Sequence, residues 1–189
     1  MLPLMVGVLA VLAGGCLVWL AWFHHDFHRA SNARSGAAAA RPSPRIATTP
    51  LVDRAGGFRI AVPHGLHGRL DGQAALVASK DRSLLLVVSP SGPGPVRVAN
   101  AAVVTSMHDS YPRLKVIGHR AERVHGRRGI ASFGTATNHA GVRVRWVQLT
   151  VEARPRTFTI ATYTRHDTDP QWVLPRVNAV VNGFRVLPR

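Results

Sequence analysis

Cysteine is almost absent from this chain of 189 residues, in which Cys16 is the single example. Residues 51–189, where we predict the folded domain below, contain none. An intrachain disulfide framework and a zinc site built on cysteine are therefore excluded for that domain. Lysine is also scarce, because Lys80 and Lys115 are the only two and arginine supplies the other basic side chains.

Acidic residues are few as well: nine Asp and Glu stand against 24 Lys and Arg, which gives a formal net charge of +15. The first 50 residues hold four of the basic residues and one of the acidic ones, so residues 51–189 carry a net charge of about +12. Such a surface attracts anionic partners, namely lipid headgroups, cell-wall polymer or nucleic acid. Because the arginines are scattered along the chain, a solvated basic surface is the alternative, and we expect no specific recognition of nucleic acid.

Residues 1–23 have no charged side chain and no Asn, Gln, Ser or Thr. A helix of that length spans roughly 34 Å, enough for a hydrocarbon core of about 30 Å. Leu4 and Leu12 belong to its apolar run, and Trp19 and Trp22 lie at its end, where aromatic rings favour the headgroup region. We predict a single-pass membrane anchor in a cell membrane.

Two alternatives to an uncleaved anchor stay open. A secretory signal has a basic start and a shorter apolar stretch, both of which this chain lacks. The run from Leu12 to Cys16 resembles a bacterial lipobox with Ala13 three places before the cysteine, but the following residues remain apolar. The signals for the side of the membrane on which the domain lies disagree. The arginines that follow the apolar run favour a cytoplasmic domain, whereas the family resemblance described below favours the outside.

Residues 24–50 are predicted to be a disordered tether, because the run Ala37–Ala40 and the prolines Pro42 and Pro44 give no periodic apolar face. His24 and His28 have a spacing that binds metals on a helix. We expect no metal there, since two ligands next to a tether do not make a rigid site.

Residues 51–189 are predicted to form one α+β domain, an antiparallel sheet with helices packed on it. Gly57–Pro63 alternates like a strand, and two apolar runs, 74–78 and 84–89, form a hairpin. A helix over 96–110 precedes a four-strand meander over 114–124, 127–137, 142–152 and 157–164. A final helix begins at Asp169 and Pro170, with a kink or delayed start at Pro175, and a short strand follows it.

The opening Gly57-Phe58-Arg59-Ile60-Ala61-Val62-Pro63-His64-Gly65 resembles the first strand of PsbP-like domains, which include bacterial secreted or lipid-anchored members of the LpqN type. The ending Val180-Val181-Asn182-Gly183-Phe184 resembles their closing helix and strand. One departure is Leu66, where many members have an aromatic residue. The resemblance covers about residues 51–187. It implies a non-catalytic accessory or binding module, and it favours an extracytoplasmic domain.

No catalytic motif occurs in the sequence: there is no G-x-S-x-G elbow, H-E-x-x-H helix or phosphate loop. Glu122 and Glu152 are isolated among arginines, and an ion pair is the expected role for each. We therefore predict no enzyme activity, no catalytic residue, no metal and no cofactor.

A basic patch is the remaining candidate site. Arginines bracket the turn of one predicted hairpin and alternate on a neighbouring strand, where they would converge on an anion if the hairpins lie side by side. The candidate residues are Arg120, Arg123, Arg127, Arg128, Arg143 and Arg145. Trp146 should face away from Arg145 and pack under a helix.

Two functions follow. The first is a membrane-anchored accessory or binding module with a protein or envelope partner. The alternative is a surface protein whose arginines contact anionic lipid, cell-wall polymer or nucleic acid.

Overall fold

The computed structural model describes residues 46–111 and 113–188. The predicted anchor at 1–23, with Leu4, Leu12, Trp19 and Trp22, lies outside the described residues, and so does nearly all of the predicted tether. Within the described part of the chain, no helix combines the length and the apolar character needed to cross a membrane.

The described residues form ten strands and two helices. The strands are β1 (Thr48–Asp53), β2 (Phe58–Pro63), β3 (Leu66–Asp71), β4 (Ala74–Ser79), β5 (Leu84–Gly92), β6 (Lys115–Val124), β7 (Arg127–Thr137), β8 (Arg143–Ala153), β9 (Arg156–Arg165) and β10 (Arg185–Val186). The helices are α1 (Val96–Ser110) and α2 (Pro170–Gly183).

These strands make two antiparallel sheets. The larger sheet has seven strands in the order β3-β4-β5-β9-β8-β7-β6, and the smaller one has three in the order β1-β2-β10. The hairpin of β4 and β5 and the meander from β6 to β9 are the ones predicted from the sequence. The α+β class with an antiparallel sheet is confirmed for the described residues.

Helix α1 covers one face of the larger sheet. Val104 and Met107 of this helix pack with Trp146, which is fully buried, so the predicted position of Trp146 under a helix is confirmed. Tyr111, just after the helix, stacks on Tyr163 with 6.5 Å between ring centroids. Burial of these large side chains fixes the helix on the sheet.

The opposite face is covered by α2 and the smaller sheet. Phe58 of β2, Phe158 of β9 and Phe184 after α2 form an aromatic cluster, with ring centroids 5.5–6.3 Å apart. Val173 and Val177 of α2 are buried in the same core. The larger sheet is therefore the middle layer of the domain.

Helix α2 begins as the sequence predicts, because the Asp169 carboxylate accepts a hydrogen bond of 2.9 Å from the backbone N–H of Gln171. The delayed start expected at Pro175 does not occur, since the helix runs from Pro170 through Pro175 to Gly183. Val173 and Val177 flank the proline and are buried, so packing holds the helix across it.

Two strands were not predicted. β1 begins at Thr48, so its first three residues belong to the predicted tether, which is wrong at that end. β3 is exposed at four of its six positions and contains His67, Gly68 and Arg69. Neither strand shows the apolar alternation that marks a half-buried strand, because each is an edge strand with little core contact.

The close approach of α2 to β2 yields a test. A Cβ on Gly183 would lie 2.3 Å from the Ala61 Cβ and 2.8 Å from the Ala61 nitrogen. We expect Gly183→Ala to lower the free energy of unfolding by about 1–3 kcal/mol, measured by urea unfolding of the full chain in mild detergent. At an exposed position in the interior of a helix, a change from Gly to Ala would instead raise the free energy of unfolding by up to about 1 kcal/mol.

The matched control is Asn182→Ala at the preceding exposed position, which we expect to change the free energy of unfolding by less than about 0.5 kcal/mol. Equal stability of Gly183→Ala and the wild type would contradict the close helix–strand contact.

Candidate functional site

The hairpin of β6 and β7 brings two of the predicted arginines together on the face that α1 covers. Arg123 lies directly opposite Arg128. His119 and Ser132 form another opposed pair four residues further along the two strands, and this pair lies on the same face. Side chains alternate between faces along a strand, so Arg120 points to the other face, where it forms an ion pair with Glu122.

A cleft opens between the first turn of α1 and this hairpin, and we call it the α1–β6 cleft. It is an open groove with a volume of about 1080 Å³, slightly above the range of about 300–1,000 Å³ that is typical of ligand sites. Its lining includes Val96, Arg97, Asn100, Ala101, His119, Ala121, Arg123, Arg128, Gly129 and Ile130. The first turn of α1 has no acidic residue and no side-chain cap, so the positive end of the helix dipole adds to the charge here.

The floor of this cleft is a hydrogen-bonded polar network centred on Asn100, which is 3% exposed. Its Nδ2 donates to the Thr150 hydroxyl at 3.1 Å and to the Ile130 carbonyl at 3.4 Å. Its backbone carbonyl accepts from the Gln148 amide at 3.2 Å. A buried network of this kind holds α1 at a fixed position over β7 and β8.

The donors and acceptors of the network determine which ring nitrogen of His119 carries a proton. The two acceptors at Asn100 Nδ2 orient the amide, so Asn100 Oδ1 accepts the only hydroxyl proton of Ser132, at 2.5 Å. His119 Nδ1 lies 2.7 Å from the same Ser132 oxygen and must therefore donate to it. In the neutral ring this leaves Nε2 without a proton, as an acceptor.

The donor and acceptor roles also limit the chemistry that is open to the pair Ser132 and His119. A serine nucleophile needs a histidine nitrogen that accepts its proton. Here the histidine donates, and Ser132 is fully buried. The pair has the distance of a nucleophile and a base but the opposite hydrogen-bond direction, so its role is structural.

Arg127 belongs to a different cleft, on the opposite face of the larger sheet, because it is the neighbour of Arg128 on β7 and adjacent side chains of a strand point to opposite faces. This cleft encloses about 820 Å³ and lies between the turns of three hairpins. Its basic residues are Arg54, Arg127, Arg154 and Arg156, and we call it the four-arginine cleft.

The prediction that Arg143 and Arg145 converge with the other arginines is wrong. Arg145 pairs with Thr135 of β7, seven residues from Arg128, which corresponds to roughly 23 Å along the strand. Arg145 is 7% exposed and donates a hydrogen bond to the His166 carbonyl. The pKa of His166 is lowered, first by its partial burial and then by the positive charges of Arg145 and Arg143. The negative charge of Asp167 acts in the opposite direction and raises this pKa, but by less.

Four arginines of the two clefts are not among the residues predicted from the sequence: Arg97 in one cleft, and Arg54, Arg154 and Arg156 in the other. Arg97 precedes Asn100 by three residues and so shares its helix face. The other three lie in or beside turns, and these turns meet only through the packing of the smaller sheet on the larger one. Among the described residues, no group of three or more His, Cys, Asp or Glu side chains is placed to hold a metal ion.

This chain is similar to known proteins in its fold. No protein-family model matches the chain, and no curated protein matches it in sequence. The solution structure of cyanobacterial PsbP from Synechocystis sp. PCC 6803 matches with a TM-score of 0.56 and 14% identity, over 79% of this chain and 98% of that one.

Two crystal structures are also similar. A protein of Bacteroides thetaiotaomicron matches with a TM-score of 0.52 and 10% identity, over 74% of this chain and 48% of that one. LpqN of Mycobacterium tuberculosis, which is described as involved in cell envelope biogenesis, gives a TM-score of 0.49 and 15% identity, over 84% and 96%. The chain has the PsbP-like fold that the sequence resemblance implied.

The network under the α1–β6 cleft predicts a large effect of Asn100→Ala. Truncation leaves the buried Ser132 and Thr150 hydroxyls without their amide partner and opens a cavity. We expect the free energy of unfolding to fall by about 2–4 kcal/mol, measured by urea unfolding of the full chain. The control Thr105→Ala, at an exposed position of the same helix, should change it by less than about 0.5 kcal/mol. A similar small change in both variants would show that the network does not hold α1.

Proposed function

We propose that the protein is a non-catalytic binding module, anchored in a membrane by residues 1–23, and that its partner is a protein segment with acidic and apolar side chains. The observation that carries this proposal is the α1–β6 cleft. Its rim has Arg97, Arg123 and Arg128, all exposed, and its lining has aliphatic side chains such as Val96 and Ile130.

The buried amide and hydroxyl groups of the floor are already hydrogen-bonded to each other. Asn100 and Ser132 already use each other as partners, so affinity has to come from the arginines and from apolar contact. An anionic group meets guanidinium groups at the rim, where charge-assisted hydrogen bonds form without a buried unpaired charge. An acidic and apolar ligand is therefore complementary to both parts of the cleft.

An extended segment suits the position of β6. This strand is ten residues long and lies at the edge of the larger sheet, so its outer backbone groups are free of a neighbouring strand within the described sheet. An added strand would gain main-chain hydrogen bonds there. The arginines beside β6 would select for acidic side chains on the added strand.

The absence of catalysis is supported by the hydrogen-bond direction in the pair Ser132 and His119. The sequence contains no catalytic motif. The PsbP-like resemblance implies accessory roles, and it is the reason for placing the domain outside the cytoplasm.

A peptide titration tests the partner chemistry. The probe is a fluorescein-labelled peptide of ten residues that alternates Glu and Val, and a peptide that alternates Lys and Val is its control. We expect the full chain in mild detergent to bind the acidic peptide in fluorescence anisotropy, more weakly as salt rises. The triple variant Arg97→Gln, Arg123→Gln and Arg128→Gln should bind about ten-fold more weakly, since three exposed ion pairs contribute about 0.5 kcal/mol each.

The charge-matched control is Arg59→Gln, Arg113→Gln and Arg143→Gln, three exposed arginines outside the cleft, and it should bind within about two-fold of wild type. Equal weakening by both triple variants would show that net charge, not the cleft, attracts the peptide. No binding of the acidic peptide would overturn the proposed partner chemistry.

A topology measurement tests the anchor. A phosphatase reporter that is active only outside the cytoplasm, fused to Arg189 in a bacterial host, should be active and should fractionate with the membrane. A fluorescent-protein fusion that folds only in the cytoplasm is the control and should stay dark. The reverse pattern would place the domain inside, as the arginines after residue 23 favour, and a soluble fusion would overturn the anchor.

A further inference from the structure

We infer that the four-arginine cleft is a binding site for a phosphate group, separate from the α1–β6 cleft and independent of the function proposed for it. Its arginines come from three turns that meet at one end of the domain. Arg54 lies in the turn between β1 and β2, Arg127 opens β7, and Arg154 and Arg156 flank Pro155 between β8 and β9.

The charge of this cleft is poorly balanced by the protein itself. Arg154 has an ion pair of 2.8 Å with Glu152. Within residues 46–111 and 113–188, the ion pairs include none to Arg54, Arg127 or Arg156. Three guanidinium groups without a carboxylate partner around one concavity repel each other, and a bound oxyanion would convert that repulsion into attraction.

One of these arginines is held in place before any ligand binds. Arg156 is half-buried and donates a hydrogen bond of 3.3 Å from Nη1 to the Gly56 carbonyl. The guanidinium also lies close to the adjacent Gly57, which has a φ of +77°. A Cβ built on Gly57 would be in van der Waals contact with the same Nη1, at 3.5 Å. Fixing the guanidinium in advance lowers the entropy lost when it binds a ligand.

The turn that carries Arg54 is itself built on a buried carboxylate. Asp53 is 1% exposed, and its Oδ1 accepts a hydrogen bond of 2.7 Å from the Gly56 N–H. Its Oδ2 has no hydrogen-bond partner among the described residues. The hydrogen bond between Gly56 and Asp53 closes the turn that carries Arg54 at the edge of the cleft.

The number of donors favours phosphate over carboxylate. Each guanidinium has five N–H donors in a planar fork, and a phosphate offers three terminal oxygens and a charge near −2. A volume of about 820 Å³ exceeds the needs of the phosphate alone. The half-buried Val186 and Leu187 line the same cleft, so the phosphate should be attached to a larger group with apolar surface.

The experiment compares two sources of that phosphate by isothermal titration calorimetry of the full chain in nanodiscs of neutral phosphatidylcholine. The probes are glycerol 3-phosphate, a soluble phosphomonoester, and dihexanoyl phosphatidic acid below its micelle concentration, a lipid phosphate. We expect saturable binding of at least one probe. Binding of the lipid alone would identify a headgroup as the source, and binding of both would identify the phosphomonoester itself.

The decisive variant is Arg54→Gln with Arg127→Gln, because both side chains are exposed and their loss should not disturb folding. We expect its affinity to fall by about ten-fold or more. Arg113→Gln with Arg143→Gln removes the same charge elsewhere and should bind within about two-fold of wild type. Arg156→Lys keeps the charge but removes the planar fork, and it should also weaken binding.

The triple variant Arg97→Gln, Arg123→Gln and Arg128→Gln should bind phosphate as wild type does, so failure of the α1–β6 proposal and failure of this one are distinguishable. No binding of either probe would overturn the inference. Equal weakening by the two double variants would overturn it as well, because attraction would then depend on net charge alone.

Discussion

Burial of β9 on both of its faces is the constraint on which the rest of this domain depends. Eight of its ten residues, from Thr157 to Thr164, are buried. Phe158 and Ile160 point into the core beneath α2, whereas Ala161 and Tyr163 point into the core beneath α1. A strand covered on both faces cannot present charged side chains along its length, so charged sites are expected at the ends and edges of the sheet.

The distribution of the arginines follows from that constraint. β6 is an edge strand, and the turns of the hairpins lie at the sheet ends, so both positions tolerate guanidinium groups without burying them. Arg145 shows the cost of departing from this rule. It lies inside the covered part of β8, where its Nε and Nη1 have no hydrogen-bond partner among the described residues and burial lowers its pKa.

The sequence predicts the architecture well because most strands and both described helices carry local signals. The alternation of Phe58, Ile60 and Val62, the cap at Asp169 and the turn glycines all act within a few residues, so they can be interpreted without the fold. β1 and β3 lack such signals, since their pairing with a neighbour stabilises them more than their own burial does.

The sites were harder to predict than the fold because they depend on register. Arg143 and Arg145 were correctly placed two apart on one strand face, but the pairing of Arg145 with Thr135 puts them at the far end from Arg128. Arg54 and Arg156 are about a hundred residues apart in sequence and line the same cleft, where Arg156 donates a hydrogen bond to the Gly56 carbonyl in the turn that carries Arg54. The network of Asn100, Ser132 and His119 likewise joins three elements, and no spacing in the sequence indicates it.

The two clefts are separated by the sheet and yet begin from neighbouring residues, Arg127 and Arg128, because adjacent side chains on β7 point to opposite faces. Two anionic ligands bound there would sit on opposite sides of a strand whose backbone is paired to β6 and β8, so neither could displace the other directly. The turn between β6 and β7 also contacts the smaller sheet, because His125 Nε2 lies 2.6 Å from Arg185 Nη1 of β10. The hairpin that carries both arginines is therefore tied to the smaller sheet at its turn, next to the end of β7 where the two clefts diverge.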